Sequence, residues 1–345
     1  MKRLSVVVFA VLCLASVVRA GEEKKKNPYD ENKNTDLALD VAQAGADYKV
    51  QGEYAGEITT ADGKKKFGAQ IMALGGATFR AVYYFGGLPG DGWMGDKTQR
   101  VITEKEWVAD GKTEGDKTVF EKPFAASISG DTITGKTDKG DAFECKKVMR
   151  QSPTLGAPAP AGAKVLFDGT NLDNWTGKGE IDERKYLTTT HGNAYTKEKY
   201  KDFSAHVEYM EPFKPYGREQ DRGNSGVYIQ NRYECQVLDS FGRFGKDNEA
   251  GGIYHKVAPK VNMVFPPLSW QSYDIDFTAA KYDDAGKKVK NAMLTSKHNG
   301  VVVHENQEID GPTGGGQKET PEAGELQLQG HGNPVFFRNI WIIAK

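Results

Sequence analysis

Cysteine is scarce in this chain: the 345 residues contain three, Cys13, Cys145 and Cys235. Cys13 lies in the apolar N-terminal stretch, which leaves a single pair. One pair cannot form the disulfide framework of a small secreted domain, and no two cysteines have the spacing of a zinc site. Because Cys145 and Cys235 each lie in an apolar strand pattern, we expect two buried thiols. The alternative is a bridge between two domains.

An excess of charge of one sign is also missing. Lys and Arg number 46 and Asp and Glu 47, for a net charge of −1. Nucleic acid is therefore not an expected partner, since phosphate binding needs a positive surface.

The chain has no apolar run long enough for a good membrane span. Its apolar run, residues 4–18, follows Lys2 and Arg3 and ends near Ala20, which predicts a signal peptide over residues 1–20 and export to the periplasm or medium. A rival interpretation makes Cys13 a lipoprotein cysteine. Stable insertion in a membrane is not expected.

Patterns for helices longer than two turns are lacking, while glycine is abundant at 40 residues. This combination predicts an all-β protein built from many short strands. We expect a disordered leader over residues 21–36, followed by a short helix with Asp36 as its N-cap. A small antiparallel β domain follows over 37–150, then a Pro/Ala linker over 151–163. Residues 164–345 are expected to form an antiparallel two-sheet sandwich of jelly-roll type.

One stretch of the second half, residues 223–239, combines strand patterns with polar side chains. Two strands, 227–230 and 233–238, are joined by a predicted turn at Asn231-Arg232. Alternation along the second strand places Glu234 and Gln236 on the same face. A carboxylate and an amide that point the same way indicate either a solvated exterior or a polar binding surface.

Five blocks of the second half resemble, in the same order, bacterial 3-keto-disaccharide hydrolase domains: VLFDGTNLDNW at 165–175, NSG at 224–226, YECQVLD at 233–239, GGIY at 251–254 and LQGHGNPVFFRNI at 328–340. The resemblance implies a concanavalin A-like sandwich. It also implies an enzyme that acts on glycosides whose glucose ring carries a ketone at C3, as a hydrolase or as a 1,2-lyase followed by a hydratase. It does not cover the N-terminal half.

Such chemistry needs a base near C2, a hydrogen-bond donor at the C3 oxygen and an acid at the leaving oxygen, because the ketone acidifies the C2 hydrogen. Glu234 is the first catalytic candidate. Glu208 matches an acidic position of the family and shares its strand face with His206. His255 and His331 lie in glycine-flanked loops, where an imidazole can act as a base.

Substrate binding is expected from side chains that hydrogen-bond to hydroxyl groups or stack on a sugar ring. The candidates are Gln236, Asn224, Tyr254, Trp270, Gln329 and Asp239. A divalent ion is a possible cofactor, with Glu234 and His255 as candidate ligands, although no compact ligand spacing demonstrates one. The expected partner is a small carbohydrate. The alternative function is a lectin-like envelope protein that binds carbohydrate without catalysis.

Overall fold

The structure is a computed structural model that describes residues 34–345. The predicted signal peptide and all but the last three residues of the predicted leader lie outside the described residues. Strands dominate the described part of the chain, whose α-helix content is the single five-residue helix α1, Ala46–Val50. The all-β class is confirmed. Over residues 34–345 no helix has the length and apolarity to cross a membrane.

The first half forms a closed antiparallel sheet. The order β2-β1-β11-β10-β9-β8-β7-β3 returns to its start because β2 also pairs with β3, and β6 pairs with β3 as a branch. Tyr54, Ile58 and Phe67 point into its interior and are fully buried. The strands of this half are β1 (Gly52–Thr60), β2 (Gly63–Gly75), β3 (Thr78–Phe85), β4 (Leu88–Pro89), β5 (Gly92–Trp93), β6 (Arg100–Ile102), β7 (Gly111–Glu114), β8 (Lys117–Phe120), β9 (Ala125–Ser129), β10 (Thr132–Lys136) and β11 (Ala142–Val148).

The helix predicted directly after Asp36 is wrong. Asp36 has a φ of 58°, which is not the extended conformation of an N-cap residue. Ala38 instead forms a bridge with Phe213 of the second half, and its N–H donates to the Phe213 carbonyl at 2.9 Å. This tertiary contact fixes Ala38 between turns at residues 34–36 and 41–43, and the helix begins only at Ala46.

The second half forms the predicted sandwich of two antiparallel sheets. An eight-stranded sheet has the order β14-β15-β26-β17-β20-β23-β24, with β12 also paired to β26, and a five-stranded sheet has the order β13-β16-β25-β18-β19. The strands are β12 (Lys164–Phe167), β13 (Trp175–Gly177), β14 (Glu180–Ile181), β15 (Leu187–Thr188), β16 (Ala194–Thr196), β17 (Phe203–Met210), β18 (Ser225–Ile229), β19 (Tyr233–Val237), β20 (Gln271–Thr278), β21 (Lys281–Tyr282), β22 (Lys288–Lys290), β23 (Ala292–His298), β24 (Val301–Ile309), β25 (Gln327–Leu328) and β26 (Phe336–Ala344).

The sandwich core forms where the inner faces of the two sheets meet. Val207 from β17 and Val227 and Cys235 from β18 and β19 are among the buried residues of one cluster. Each fully buried aliphatic side chain of this kind stabilises the fold by roughly 1.5–3 kcal/mol. Cys145 and Cys235 are both free and buried, so the expectation of two separate thiols is confirmed.

Two tight turns set the strand register of the sandwich. Asn299 and Gly300 both have positive φ values and join β23 to β24, as the Asn-Gly pair predicts. The turn between β18 and β19 lies one residue earlier than predicted, because Gln230 and Asn231 have φ values of 54° and 55°. Tyr228 consequently pairs with Glu234 across the two strands.

The segment predicted as a linker contains no helix or strand over residues 151–163, yet it is packed against the sandwich. The Gly156 N–H donates to Glu208, and the Ala157 carbonyl accepts hydrogen bonds from Asn339 and Trp341. The segment therefore covers the outer face of the eight-stranded sheet. The exact domain boundaries stay a prediction.

Candidate active site

A cavity of about 310 Å³ lies against the outer face of the five-stranded sheet. Val227 and Cys235 point from β18 and β19 into the core, so their neighbours Tyr228 and Glu234 point the opposite way, into the cavity. This volume is at the lower end for small-molecule sites and suits a single sugar ring better than a polymer. The cavity is lined by Gln220, Asn224, Tyr228, Glu234, Gln236, Tyr254, Gly314, Gly315, Gln329 and His331.

Glu234 is the buried carboxyl group of this cavity, with 2% of its surface exposed. Burial raises the pKa of Glu234 from 4.5 to about 8, while the hydrogen bond with Tyr228 acts in the opposite direction. The Tyr228 hydroxyl lies 2.8 Å from both Glu234 Oε2 and the Gly314 carbonyl oxygen. At neutral pH Glu234 is therefore mainly protonated, and the Tyr228 O–H can donate to the Gly314 carbonyl. Once the Glu234 carboxyl group ionises, the same O–H can donate to the carboxylate.

Gly226 makes room for this carboxyl group. A Cβ atom at Gly226 would lie 2.3 Å from Glu234 Oε1, well inside van der Waals contact. Gly226 pairs with Gln236 on the neighbouring strand β19, whose Glu234 and Gln236 side chains both line the cavity. Any larger residue at this position would displace the Glu234 side chain.

Three carboxamide side chains surround Glu234. Asn224 and Gln236 are buried, and Gln329 is half-buried with its Nε2 3.3 Å from the Tyr228 hydroxyl. Within residues 34–345, the carbonyl oxygens of all three amides are buried without a hydrogen-bond partner. Buried polar atoms are nearly always paired in proteins, so these acceptors are available for hydrogen bonds from water or from a ligand in the cavity.

His331 and Tyr254 lie at the mouth of the cavity. The His331 side chain is exposed, whereas Tyr254 is half-buried. The structure thus brings six of the predicted residues into one cavity: Glu234, Gln236, Asn224, Tyr254, Gln329 and His331.

The structure places Glu208 elsewhere, which corrects its expected place in the site. Glu208 points from β17 to the outer face of the eight-stranded sheet, so both layers of the sandwich separate it from Glu234. Its oxygens accept hydrogen bonds from Arg338 Nε at 2.7 Å, Asn339 Nδ2 at 2.8 Å and the Gly156 N–H at 2.5 Å. Glu208 therefore anchors the segment over residues 151–163.

Trp270 does not line the cavity either. Its ring packs under the Arg338 guanidinium at 4.1 Å and against the edge of Tyr186 at 4.8 Å. Asp239 is buried and forms an ion pair with Arg222 at 2.7 Å. Both contacts are structural and leave neither side chain free to bind a sugar.

His255 follows Tyr254 but does not line the cavity. It has a φ of 54°, its side chain is exposed, and its ring lies 4.3 Å from the Tyr254 ring between centroids. The predicted metal pair of Glu234 and His255 is therefore not assembled. Across residues 34–345, no group of three or more His, Cys, Asp or Glu side chains is arranged to hold a metal ion.

Sequence reasoning missed four lining residues, Gln220, Tyr228, Gly314 and Gly315. Tyr228 could have been found from the correct hairpin register, which places it opposite Glu234. Gln220 lies in a 3₁₀ turn, Glu219–Asp221, and the two glycines lie in a loop. No periodic pattern in the sequence predicts where such segments lie.

Comparison with known proteins identifies the second half. The model of a family described as a 3-keto-alpha-glucoside-1,2-lyase-like domain matches residues 162–343. No curated protein matches the chain.

Among solved structures, three crystal structures of proteins described as a "putative glycosyl hydrolase" from Parabacteroides distasonis ATCC 8503 are similar to this chain. One has 34% identity and a TM-score of 0.49, covering 54% of this chain and 85% of its own. Another has 24% identity and a TM-score of 0.39, covering 53% of this chain and 99% of its own. Since the family model spans more than half of the chain, this protein belongs to the 3-keto-alpha-glucoside-1,2-lyase-like family.

Proposed function

We propose that this protein is an exported enzyme that cleaves 3-keto-glycosides by elimination across C1 and C2 followed by addition of water. The observation that carries the proposal is Glu234, a buried and mainly protonated carboxyl group in a cavity the size of one sugar ring. Family membership supports the type of substrate. Export rests on the N-terminal sequence pattern alone.

Glu234 is proposed as the general acid. In the elimination, His331 removes the C2 proton, the electron pair forms the C1–C2 double bond, and the C1–O bond breaks. Glu234 gives its proton to the leaving oxygen, which departs as an alcohol. The carboxylate that remains accepts the Tyr228 O–H, which lies 2.8 Å away. Hydrogen bonds to a charged acceptor are about twice as strong as neutral ones, so this contact strengthens as charge develops.

Hydration returns both groups to their starting states. The Glu234 carboxylate takes a proton from water as the oxygen attacks C1, and the His331 imidazolium returns a proton to C2. The net result is hydrolysis of the glycoside, with no proton gained or lost by the protein. A divalent ion held by ionised Glu234 and the carboxamide oxygens stays a separate proposal, since hard cations prefer such ligands, and it would exclude Glu234 as the general acid.

The test is turnover of an alkyl 3-keto-glucoside, whose alcohol is a poor leaving group without a proton donor, by the wild type and Glu234→Gln, each with and without chelator. General acid–base catalysis contributes about 10²–10⁴-fold, so we expect kcat to fall by that factor with little change in KM. Glu183→Gln is the matched control, because Glu183 is exposed and does not line the cavity. Unchanged turnover in Glu234→Gln would remove Glu234 from the mechanism.

Carbohydrate binding without catalysis is the second candidate function. The three unpaired carboxamide oxygens favour it, since they can bind hydroxyl groups without any chemistry. In that case the wild type would bind the 3-keto-glucoside and its parent glucoside in calorimetry and turn over neither.

A further inference from the structure

Gln220 has hydrogen bonds that fix the orientation of its own amide. Gln220 Nε2 donates to the backbone carbonyl of Asn248 at 2.8 Å. A carbonyl oxygen can only accept, so the NH₂ end of Gln220 must face Asn248. The other end, Oε1, is thereby directed toward the cavity residues.

That oxygen in turn orients two of the cavity amides. Gln220 Oε1 accepts from Gln236 Nε2 at 2.9 Å and from Asn224 Nδ2 at 3.3 Å. With both NH₂ groups turned toward Gln220, the oxygens of Asn224 and Gln236 are the atoms left for a ligand. Both residues are at least 97% buried, with 3% and 1% of their surfaces exposed, and within residues 34–345 both oxygens are unpaired.

The segment that carries Gln220 is held by two contacts from the first half of the chain, one from the loop between β6 and β7 and one from β2. Trp107 Nε1 donates to Glu219 Oε1 at 2.7 Å, directly before Gln220 in the chain. Two residues after Gln220, Arg222 donates to the Ala73 carbonyl at 3.1 Å. The first half of the chain thus fixes both ends of the turn from which Gln220 reaches the cavity.

We propose that Gln220 is a positioning residue: held by contacts from the first half of the chain, it orients Asn224 and Gln236 so that their oxygens accept hydrogen bonds from hydroxyl groups of the ligand. The inference rests on the proposed function for the identity of the ligand. It assigns to residues 37–150 a part in substrate binding. A cavity presenting oxygen acceptors and a mainly neutral Glu234 selects uncharged, hydroxyl-rich rings over uronates, whose carboxylate would face these oxygens.

The first test needs no substrate. In Gln220→Met, which keeps the length of the side chain but removes both polar ends, we expect the side-chain NH₂ resonances of Asn224 and Gln236 to shift and their protons to exchange faster with solvent. The comparison is made by NMR against the wild type and Gln99→Met, which changes an exposed glutamine in the 3₁₀ turn Lys97–Gln99 of the first half. Unchanged resonances and exchange would overturn the proposal, whatever the outcome of turnover.

The second test measures binding and turnover. A lost hydrogen bond to a ligand is worth about tenfold, so we expect KM for a 3-keto-glucoside to rise about 10-fold or more in Gln220→Met, with kcat nearly unchanged. Replacing one ring hydroxyl of the substrate by hydrogen should cost the wild type more than it costs the variant, which a merely structural role would not produce. Trp107→Phe, which removes the N–H but keeps an aromatic ring, should give a smaller shift in the same direction.

The two proposals fail separately. Absence of turnover in the wild type would contradict the proposed function, while the amide exchange would still decide the role of Gln220. A fall in kcat with unchanged KM in Gln220→Met, or an equal cost of the missing hydroxyl in both proteins, would overturn the positioning role.

Discussion

Two buried glutamates lie on opposite outer faces of the same sandwich, and their surroundings shift their pKa values in opposite directions. Within residues 34–345, the Glu234 carboxyl group has one side-chain hydrogen-bond partner, Tyr228, and burial raises its pKa to about 8. Burial also acts to raise the pKa of Glu208, but hydrogen bonds outweigh it and bring the pKa to about 2. Burial alone therefore does not distinguish a catalytic carboxyl group from a structural one; the partners do.

What covers each glutamate explains the difference. Glu208 lies beneath the segment over residues 151–163, which donates a backbone N–H, and beside Arg338. Glu234 lies beneath an open cavity in which, within residues 34–345, the buried side-chain atoms without a hydrogen-bond partner are carboxamide oxygens. The Glu208 oxygens find their hydrogen-bond donors within the protein, whereas the cavity above Glu234 offers acceptors to which a ligand can donate.

The largest expected effect is an opposite dependence of stability on pH. The pKa of Glu234 is raised from 4.5 to about 8, so its contribution to stability is full below pH 4.5 and is lost as pH rises toward 8. A shift of this size corresponds to about 5 kcal/mol. The pKa of Glu208 is lowered from 4.5 to about 2, so its contribution is present above pH 4.5 and is lost as pH falls toward 2.

Urea denaturation between pH 2 and pH 9 measures both slopes. Glu234→Gln should flatten the profile above pH 4.5 and leave the acid side as it is. Glu208→Gln should flatten the acid side and, because His206 loses a partner that raises its pKa from 6.5 to about 8, should also reduce the slope between these two values. Parallel profiles for the two variants would contradict the comparison.

A smaller effect is expected for Glu208→Gln at neutral pH. The substitution removes the charge that pairs with Arg338 and His206, and breaking a buried pair costs about 3 kcal/mol. Turnover of the 3-keto-glucoside by the folded protein should be unchanged, because the sandwich separates Glu208 from the cavity. Glu183→Gln again serves as the exposed control. A loss of turnover at full stability would return Glu208 to the site.

The sequence correctly predicted the strand face on which Glu234 lies, for a local reason, whereas its catalytic role stays a prediction. Alternation along a strand places Glu234 on the same face as Gln236 and on the opposite face from Cys235. This rule needs no information about the rest of the fold. The same rule correctly placed Glu208 beside His206, but it cannot say which sheet of the sandwich the strand joins or what covers that face. Gln220 and the closure of the N-terminal sheet through β2 and β3 depend on contacts between distant segments, which no local pattern encodes.

The smallest expected effect concerns the hydrogen bond between the Tyr228 hydroxyl and Glu234. Tyr228→Phe removes the hydroxyl that stabilises the ionised carboxyl group, so the pKa of Glu234 should rise further, by about one unit for a lost hydrogen bond of about 1.4 kcal/mol. The general acid would then stay protonated to higher pH, and the alkaline limb of the kcat profile should move upward while kcat itself falls about tenfold, since the developing carboxylate loses its donor. Tyr195→Phe is the control, because its hydroxyl binds Asn193 outside the cavity. A shift of the alkaline limb to lower pH would mean instead that Tyr228 accepts a hydrogen bond from the protonated Glu234 carboxyl group. The contact would then stabilise the protonated form, which Glu208 does not take at neutral pH.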